Sequence, residues 1–256
     1  MKKNLNIKNM ILTIILVFTG LFINNIFANS NNINNNIDKI VEKVEVDCIF
    51  SIGNNCRPAH YLRENNLRTN SAPLDWMMKY SLDTVIHLFE TKFTDFFKNI
   101  KEIPTKNSVK NRTIIDTKNN ITSIHYFEKS DSLKNEQIKF NKLMKQREDD
   151  MISLITKSNS IGLICARQYA TSTDLINFIN KFSKIYPNKK ITLINIIDSN
   201  IKNLDKKIIL NKNNLKIIQY KFHDQVPNKS WKGNSYYWNK IVKNIKLNTK
   251  TDQRVN

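Results

Sequence analysis

Ile161-Gly162-Leu163-Ile164-Cys165-Ala166-Arg167 and Ile191-Thr192-Leu193-Ile194-Asn195-Ile196-Ile197-Asp198 are two runs that stay apolar almost without alternation. A strand with one face in water alternates, so unalternating runs read as strands of a parallel sheet covered by helices on both faces. The interval between them agrees. A helix is expected from Thr173 to Tyr186, where Pro187 stops it, because proline cannot continue a helix. A further strand is expected at Leu215 to Phe222 and a last helix from about Asn234 to Lys246. The expected fold class is α/β, a layered and mostly parallel sheet flanked by helices in a single domain.

Working toward the amino terminus, a long helix is expected from Asn135 to Lys157, with Phe140, Leu143, Met144, Met151, Leu154 and Ile155 on one face. Thr113 to Asp116 and Ile121 to Phe127 read as the arms of a hairpin around Lys118-Asn119-Asn120. Leu82, Val85, Ile86, Phe89, Phe93, Phe96 and Phe97 recur at helical spacing, with Ser81 as the cap. His87 lies off that stripe and reads as a solvated surface histidine.

The stretch with chemistry in it is Val46-Asp47-Cys48-Ile49-Phe50-Ser51-Ile52-Gly53-Asn54-Asn55-Cys56-Arg57-Pro58. An apolar strand breaks at a Gly-Asn-Asn turn and delivers a cysteine to the start of a helix expected from about Arg57 to Asn65. Proline is tolerated in a helix's first turn, so Pro58 fits. Free helix N–H groups and the Arg57 charge favour an anion there, so a Cys56 thiolate is expected to be stabilised. The plainer alternative makes Cys56 a small buried residue at a tight turn. Ligands of open α/β sheets bind outside the carboxyl ends of the strands, which places Gly53, Cys56, Arg167, Asp198 and His223-Asp224 on one rim.

A cysteine nucleophile needs a base within hydrogen-bond reach. His125 and His223 are the candidates and the residues alone do not separate them. His60, one helical turn beyond Cys56, is expected to point along the helix flank. Gly53-Asn54-Asn55 could instead hold phosphate at a helix start, although neither a P-loop nor a dinucleotide glycine pattern is present. Arg167 at a strand end could hold a carboxylate or phosphate, but is expected in a structural ion pair with Asp75 or Asp198, and Trp76, Trp231 and Trp238 are expected as core anchors more than as sugar platforms.

The first residues do not belong to the folded domain. Lys2, Lys3 and Lys8 precede an apolar run from Met10 to Ile23, and Ala28 follows. This layout reads as a secretory signal peptide over 1–28, with an uncleaved N-terminal anchor as the alternative and the only expected membrane contact. A polar, asparagine-rich tether is expected over 29–44 and the domain over 45–256. The mature chain is then secreted or periplasmic.

The formal charge is +19, and +16 without Lys2, Lys3 and Lys8. Scattered lysines among many asparagines and isoleucines do not build a stacking platform, so no nucleic-acid partner is expected. The three cysteines are Cys48, Cys56 and Cys165. An odd number leaves at least one free or paired between molecules. Cys48 and Cys165 sit in strand runs and read as core. No zinc-type spacing occurs, so no metal and no cofactor is expected.

Phe50-Ser51-Ile52-Gly53-Asn54-Asn55-Cys56-Arg57-Pro58-Ala59, with Leu67-Arg68 and Ser71-Ala72-Pro73-Leu74-Asp75-Trp76, resembles the opening signature of a bacterial family of unknown function described as putative papain-like cysteine peptidases. The likeness extends to the His125 segment, the strand ending in Arg167, and Trp231-Lys232-Gly233-Asn234 with Trp238, spanning Val46 to Lys246. It implies a cysteine-dependent hydrolase, peptidase or amidase, with Cys56 as nucleophile and His125 as base on a peptide or amide substrate. Two departures stand out: Tyr126 where the family carries an aspartate, and Asn234 where an aspartate is usual. The alternatives are a glycan- or nucleotide-sugar-related transferase and a non-catalytic exported binding protein.

Overall fold

The computed structural model describes residues 39–105, 110–225 and 231–248. The expected signal peptide and the tether as far as residue 38 lie outside the described residues. All elements discussed below belong to the compact unit that begins at Glu42.

Strand β1 (Val44–Val46) starts where the expected tether ends and leads into β2 (Cys48–Ser51). Helix α1 (Arg57–Glu64), strand β3 (Met77–Met78) and helix α2 (Leu82–Glu90) follow, then β4 (Ile100–Ile103), β5 (Thr113–Asp116) and β6 (Ile121–Ser123). Helix α3 (Leu133–Lys157) leads to β7 (Ser160–Cys165), α4 (Ser172–Ile185) and β8 (Lys190–Asp198). The described chain closes with β9 (Asp205–Lys212), β10 (Leu215–Phe222), α5 (Ser235–Lys243) and β11 (Ile245–Leu247).

The main sheet has the order β2-β7-β8-β10-β9, parallel except for β9, which returns antiparallel beside β10. The α/β expectation therefore holds, and the two unalternating runs are its central strands. β7 is buried along its whole length, as a strand covered on both faces must be. Cys48, Phe50, Leu163, Cys165, Leu193 and Ile217 face a core shared with α2, α3 and α4. The alternate residues face α1 and α5, where Tyr61 stacks on Trp238 at 5.0 Å and Trp238 meets Phe222 edge-on. Gly162 allows close packing on that face, because a Cβ there would lie 3.0 Å from the Ile49 side chain.

Strands β1 and β11 pair in parallel and join the two ends of the unit. A second sheet, β3-β6-β5-β4, is antiparallel and carries His125 in the loop after β6. Sequence periodicity gave the hairpin within it but carried its second arm to Phe127. Pairing stops earlier because the last partners of Ser123 are Met77 on one side and Ile114 on the other.

The expected helix through Phe97 also ends early, at Glu90. Thr91 turns its hydroxyl back onto the His87 carbonyl at 2.8 Å, and the Asp116 carboxylate captures the Phe97 N–H at 2.8 Å. Phe93, Phe96 and Phe97 remain buried on irregular backbone. The apolar stripe is thus a burial pattern longer than its helix.

One topological feature positions the site. The chain leaves β2 toward α1 on one face and leaves the adjacent β7 toward α4 on the other. Such divergence opens a crevice at the carboxyl ends of the two strands.

Candidate active site

The Ile52–Asn55 turn is built by short-range bonds. Gly53 is needed for close approach, since a Cβ would sit 2.9 Å from the Asn55 carbonyl oxygen and 3.0 Å from the Pro58 ring. Asn54 Oδ1 accepts the Tyr80 N–H at 3.2 Å, and Asn55 Oδ1 accepts the Arg57 N–H at 3.0 Å. Both asparagine side chains therefore hold the turn together. Cys56 is the cap residue of α1 and makes no capping bond with its sulfur.

That sulfur faces the second sheet. Cys56 Sγ lies 3.6 Å from His125 Nε2, a hydrogen-bonded pair joining residues 69 positions apart. Trp76 stands edge-on to the imidazole with ring centroids 5.9 Å apart, and Arg63 of α1 lies over the Trp76 ring. No hydrogen bond from a described residue reaches His125 Nδ1. His223 makes no bond to Cys56. Its Nδ1 is 3.9 Å from Asp198, and half of its side chain is open to solvent.

The electrostatics differ from the expectation drawn from Arg57. Its guanidinium is committed to the buried Asp224 carboxylate, and its Nε donates to the Trp231 carbonyl at 2.6 Å. Burial pushes the Cys56 thiol above its ordinary value and the His125 imidazole below its own. Both shifts disfavour charge on the pair. The direction at Cys56 runs against the expected stabilised thiolate.

Arg167 closes β7 and is buried, but without the carboxylate partner expected for it. Asp75 pairs instead with Arg68 at 3.2 Å. Arg167 Nη1 donates to the Tyr80 carbonyl, while Nη2 donates to the Ile52 and Gly53 carbonyls at 3.0 and 3.2 Å. Its guanidinium also lies over the Tyr80 ring. Asn195 on the next strand accepts the Arg167 N–H at 2.9 Å and donates to its carbonyl at 3.3 Å. Arg167 is thus a buried clamp under the turn that carries Cys56. The clue in the sequence was an arginine directly after a fully apolar run.

The other flagged residues divide clearly. Cys48 and Cys165 are buried on their strands with free thiols, as expected. His60 is buried against Tyr61 and Trp231, with Nδ1 lacking a partner. His87 is ion-paired to Asp95 at 2.8 Å, so it is more than a solvated surface histidine. Trp238 is a core anchor, whereas Trp231 is 51 % exposed and is no core residue. The family departures have structural roles: the Tyr126 hydroxyl meets Arg147 at 2.6 Å, and Asn234 caps α5 while donating to the His223 carbonyl. Asp224 drew notice only as a neighbour of His223, yet it receives the Arg57 guanidinium, the Trp238 ring N–H and the Asn234 N–H.

Two clefts flank the loop after β7. One, of about 440 Å³, is lined by residues including Asn54, Tyr80, Arg167 and Tyr169. The other, of about 410 Å³, is lined by residues including Asn55, Arg57, Asp198 and Trp231. Among the described residues no group of three or more His, Cys, Asp and Glu side chains is placed to hold a metal ion.

In comparisons with known proteins, the model of a family described as putative papain-like cysteine peptidase matches residues 47–215. No curated protein and no solved structure matches the chain. The matched span contains Cys56 and His125 and ends before His223 and Trp231.

Proposed function

Because the chain belongs to the family described as putative papain-like cysteine peptidase, we propose that it is a cysteine-dependent peptidase or amidase in which Cys56 and His125 form the nucleophile and base. The observation that carries this reading is the 3.6 Å approach of Cys56 Sγ to His125 Nε2 at a strand-to-helix turn.

With charge disfavoured on both groups, proton transfer accompanies attack. As the sulfur forms its bond to the amide carbonyl carbon, the S–H proton passes to His125 Nε2 and negative charge gathers on the carbonyl oxygen. Backbone N–H groups of Asn55 and Cys56 at the helix start are the donors proposed to receive that oxyanion. His125 then returns the proton to the leaving nitrogen as the C–N bond breaks, leaving a thioester on Cys56. A water molecule gives a proton to His125 as it attacks the thioester, and His125 passes that proton to the sulfur as the C–S bond breaks, which releases the acid and restores the thiol. His125 orientation rests on Trp76 and on the loop that follows β6.

The test is turnover of a panel of fluorogenic peptide amides by the full chain, Cys56→Ala and His125→Ala. Loss of Cys56 is expected to abolish turnover, and loss of His125 to cost at least about 100-fold. Undiminished activity in Cys56→Ala would overturn the reading. We further propose that the chain is exported, on the strength of the basic and apolar pattern at Lys2 to Ile23.

A further inference from the structure

The 410 Å³ cleft reaches the turn that carries the sulfur, because Asn55 and Arg57, the neighbours of Cys56 on either side, both line it. Its position follows from the topology, outside the carboxyl ends of β7, β8 and β10 and next to the crevice between β2 and β7. Two aromatic side chains border it. Tyr169 is 93 % exposed and Trp231 is 51 % exposed, and both are among the largest apolar groups left open to solvent in the described residues.

The charge at this cleft opposes that of the rest of the chain. The described residues lining it include one cation, Arg57, and two carboxylates, Asp198 and Asp224. Arg57 and Asp224 neutralise one another, and Asp224 is buried. Among the described lining residues Asp198 is then the carboxylate without a paired cation. Its Oδ1 accepts the N–H groups of Asp224 and Gln225 at 2.8 and 3.3 Å, which fixes the carboxylate at the end of β8. Among the described residues its Oδ2 takes no hydrogen bond, and His223 Nδ1 lies 3.9 Å from Oδ1. A held carboxylate bordered by exposed aromatic side chains suits an organic cation: the carboxylate supplies the counter-charge, and aromatic rings attract cations.

We propose that this cleft is the subsite for a lysine or arginine side chain of the substrate, with Asp198 as the specificity-determining residue and Tyr169 and Trp231 as its walls. The assignment rests on the hydrolase reading for its link to Cys56, although the cleft's preference for a cation stands on its own residues. In a chain of formal charge +19, a local negative site also favours basic peptides over the general repulsion they meet elsewhere on the surface.

Two measurements on the full chain separate the subsite from the chemistry. In the first, Cys56 is labelled with peptidyl chloromethyl ketones that differ only in carrying arginine, leucine or glutamate beside the reactive carbon or one residue before it. Rates are normalised to iodoacetamide alkylation of the same variant. Arginine is expected to exceed leucine by about 10-fold, equivalent to about 1.4 kcal/mol, and glutamate to be slowest. Asp198→Asn, which keeps an acceptor for the two N–H groups, should bring arginine and leucine together. In the second, Nα-acetyl-arginine amide is titrated while tryptophan emission is followed, with Trp231→Phe as the control. A saturable change lost in Trp231→Phe and weakened in Asp198→Asn supports the subsite even if Cys56 proves unreactive, in which case the hydrolase reading alone falls. Ketone labelling with no preference for arginine, together with a flat titration, overturns the subsite and leaves the hydrolase reading standing.

Discussion

Replacing Arg167 with Met tests whether the buried clamp maintains the turn that carries Cys56. The guanidinium supplies donors to the carbonyls of Tyr80, Ile52 and Gly53 from a side chain that is 6 % exposed. Hydrogen bonds from a charged donor contribute about 1.5–3 kcal/mol each when their loss strands a buried acceptor. Two terms oppose this. Arg167 Nε is buried without a partner, and desolvating the guanidinium itself costs several kcal/mol. The balance places Arg167→Met at about 3 kcal/mol less stable than the wild type. In a unit of about 200 residues that corresponds to a fall in Tm of roughly 6–12 °C. Arg167→Lys retains the charge but not the fork that spans three carbonyls, so it should recover only part of the loss. Urea unfolding followed by tryptophan fluorescence reads both variants, with an unchanged m-value as the check on the native state. If Arg167→Met lies within about 0.5 kcal/mol of the wild type, or if Arg167→Lys is indistinguishable from it, the clamp does not hold the turn as argued.

Three other outcomes follow from the same residues. Native alkylation should mark Cys56 and spare Cys48 and Cys165, whose burial pushes their thiols to about 11 and about 12; the Cys56 rate should rise with a midpoint above that of a free thiol, and a midpoint well below about 8.5 would mean that a thiolate–imidazolium pair forms after all. Burial raises the Asp75 carboxyl to about 6 against an ordinary 3.8, despite Arg68 beside it. The native state therefore holds a proton that the unfolded chain has lost between those values, so stability falls by about 2 kcal/mol as pH rises from about 4 to 6; Asp75→Asn should flatten that slope, and an unchanged slope in urea titrations across this window would contradict the assignment. Protein recovered from its native host should begin near Asn29, as N-terminal sequencing will read, and an intact Met1-Lys2-Lys3 in a soluble cytoplasmic fraction would end the export proposal.

Central strands were legible because burial on both faces removes polar residues from them, as in β7 and β8. Edge strands were not. β9 carries Asp205, Lys206, Lys207 and Lys212 and is largely open to solvent. Charge on an edge strand discourages pairing with another chain, and the same charge hides the strand from a search for apolar runs. β4 is missed for the same reason, with three of its four residues exposed.

The site divides along a similar line, between what neighbours in sequence decide and what docking decides. The Gly53–Pro58 turn could be read directly, because Asn55 to Arg57 and Gly53 to Pro58 are contacts within a few residues. The choice between His125 and His223 could not, because it depends on where the antiparallel sheet packs against the carboxyl end of β2. Arg57 shows why proximity in sequence misleads. Its adjacency to Cys56 suggested an activated thiolate, but its charge is taken by Asp224, 167 residues later. The ion pair then has a different consequence: it fastens the Trp231–Asn234 segment to the start of α1, through Trp231 on Arg57, Lys232 on the Tyr61 hydroxyl and Asn234 on Asp224. Arg57 thereby shapes the cleft next to the turn, with its charge committed to Asp224 and not to the Cys56 sulfur.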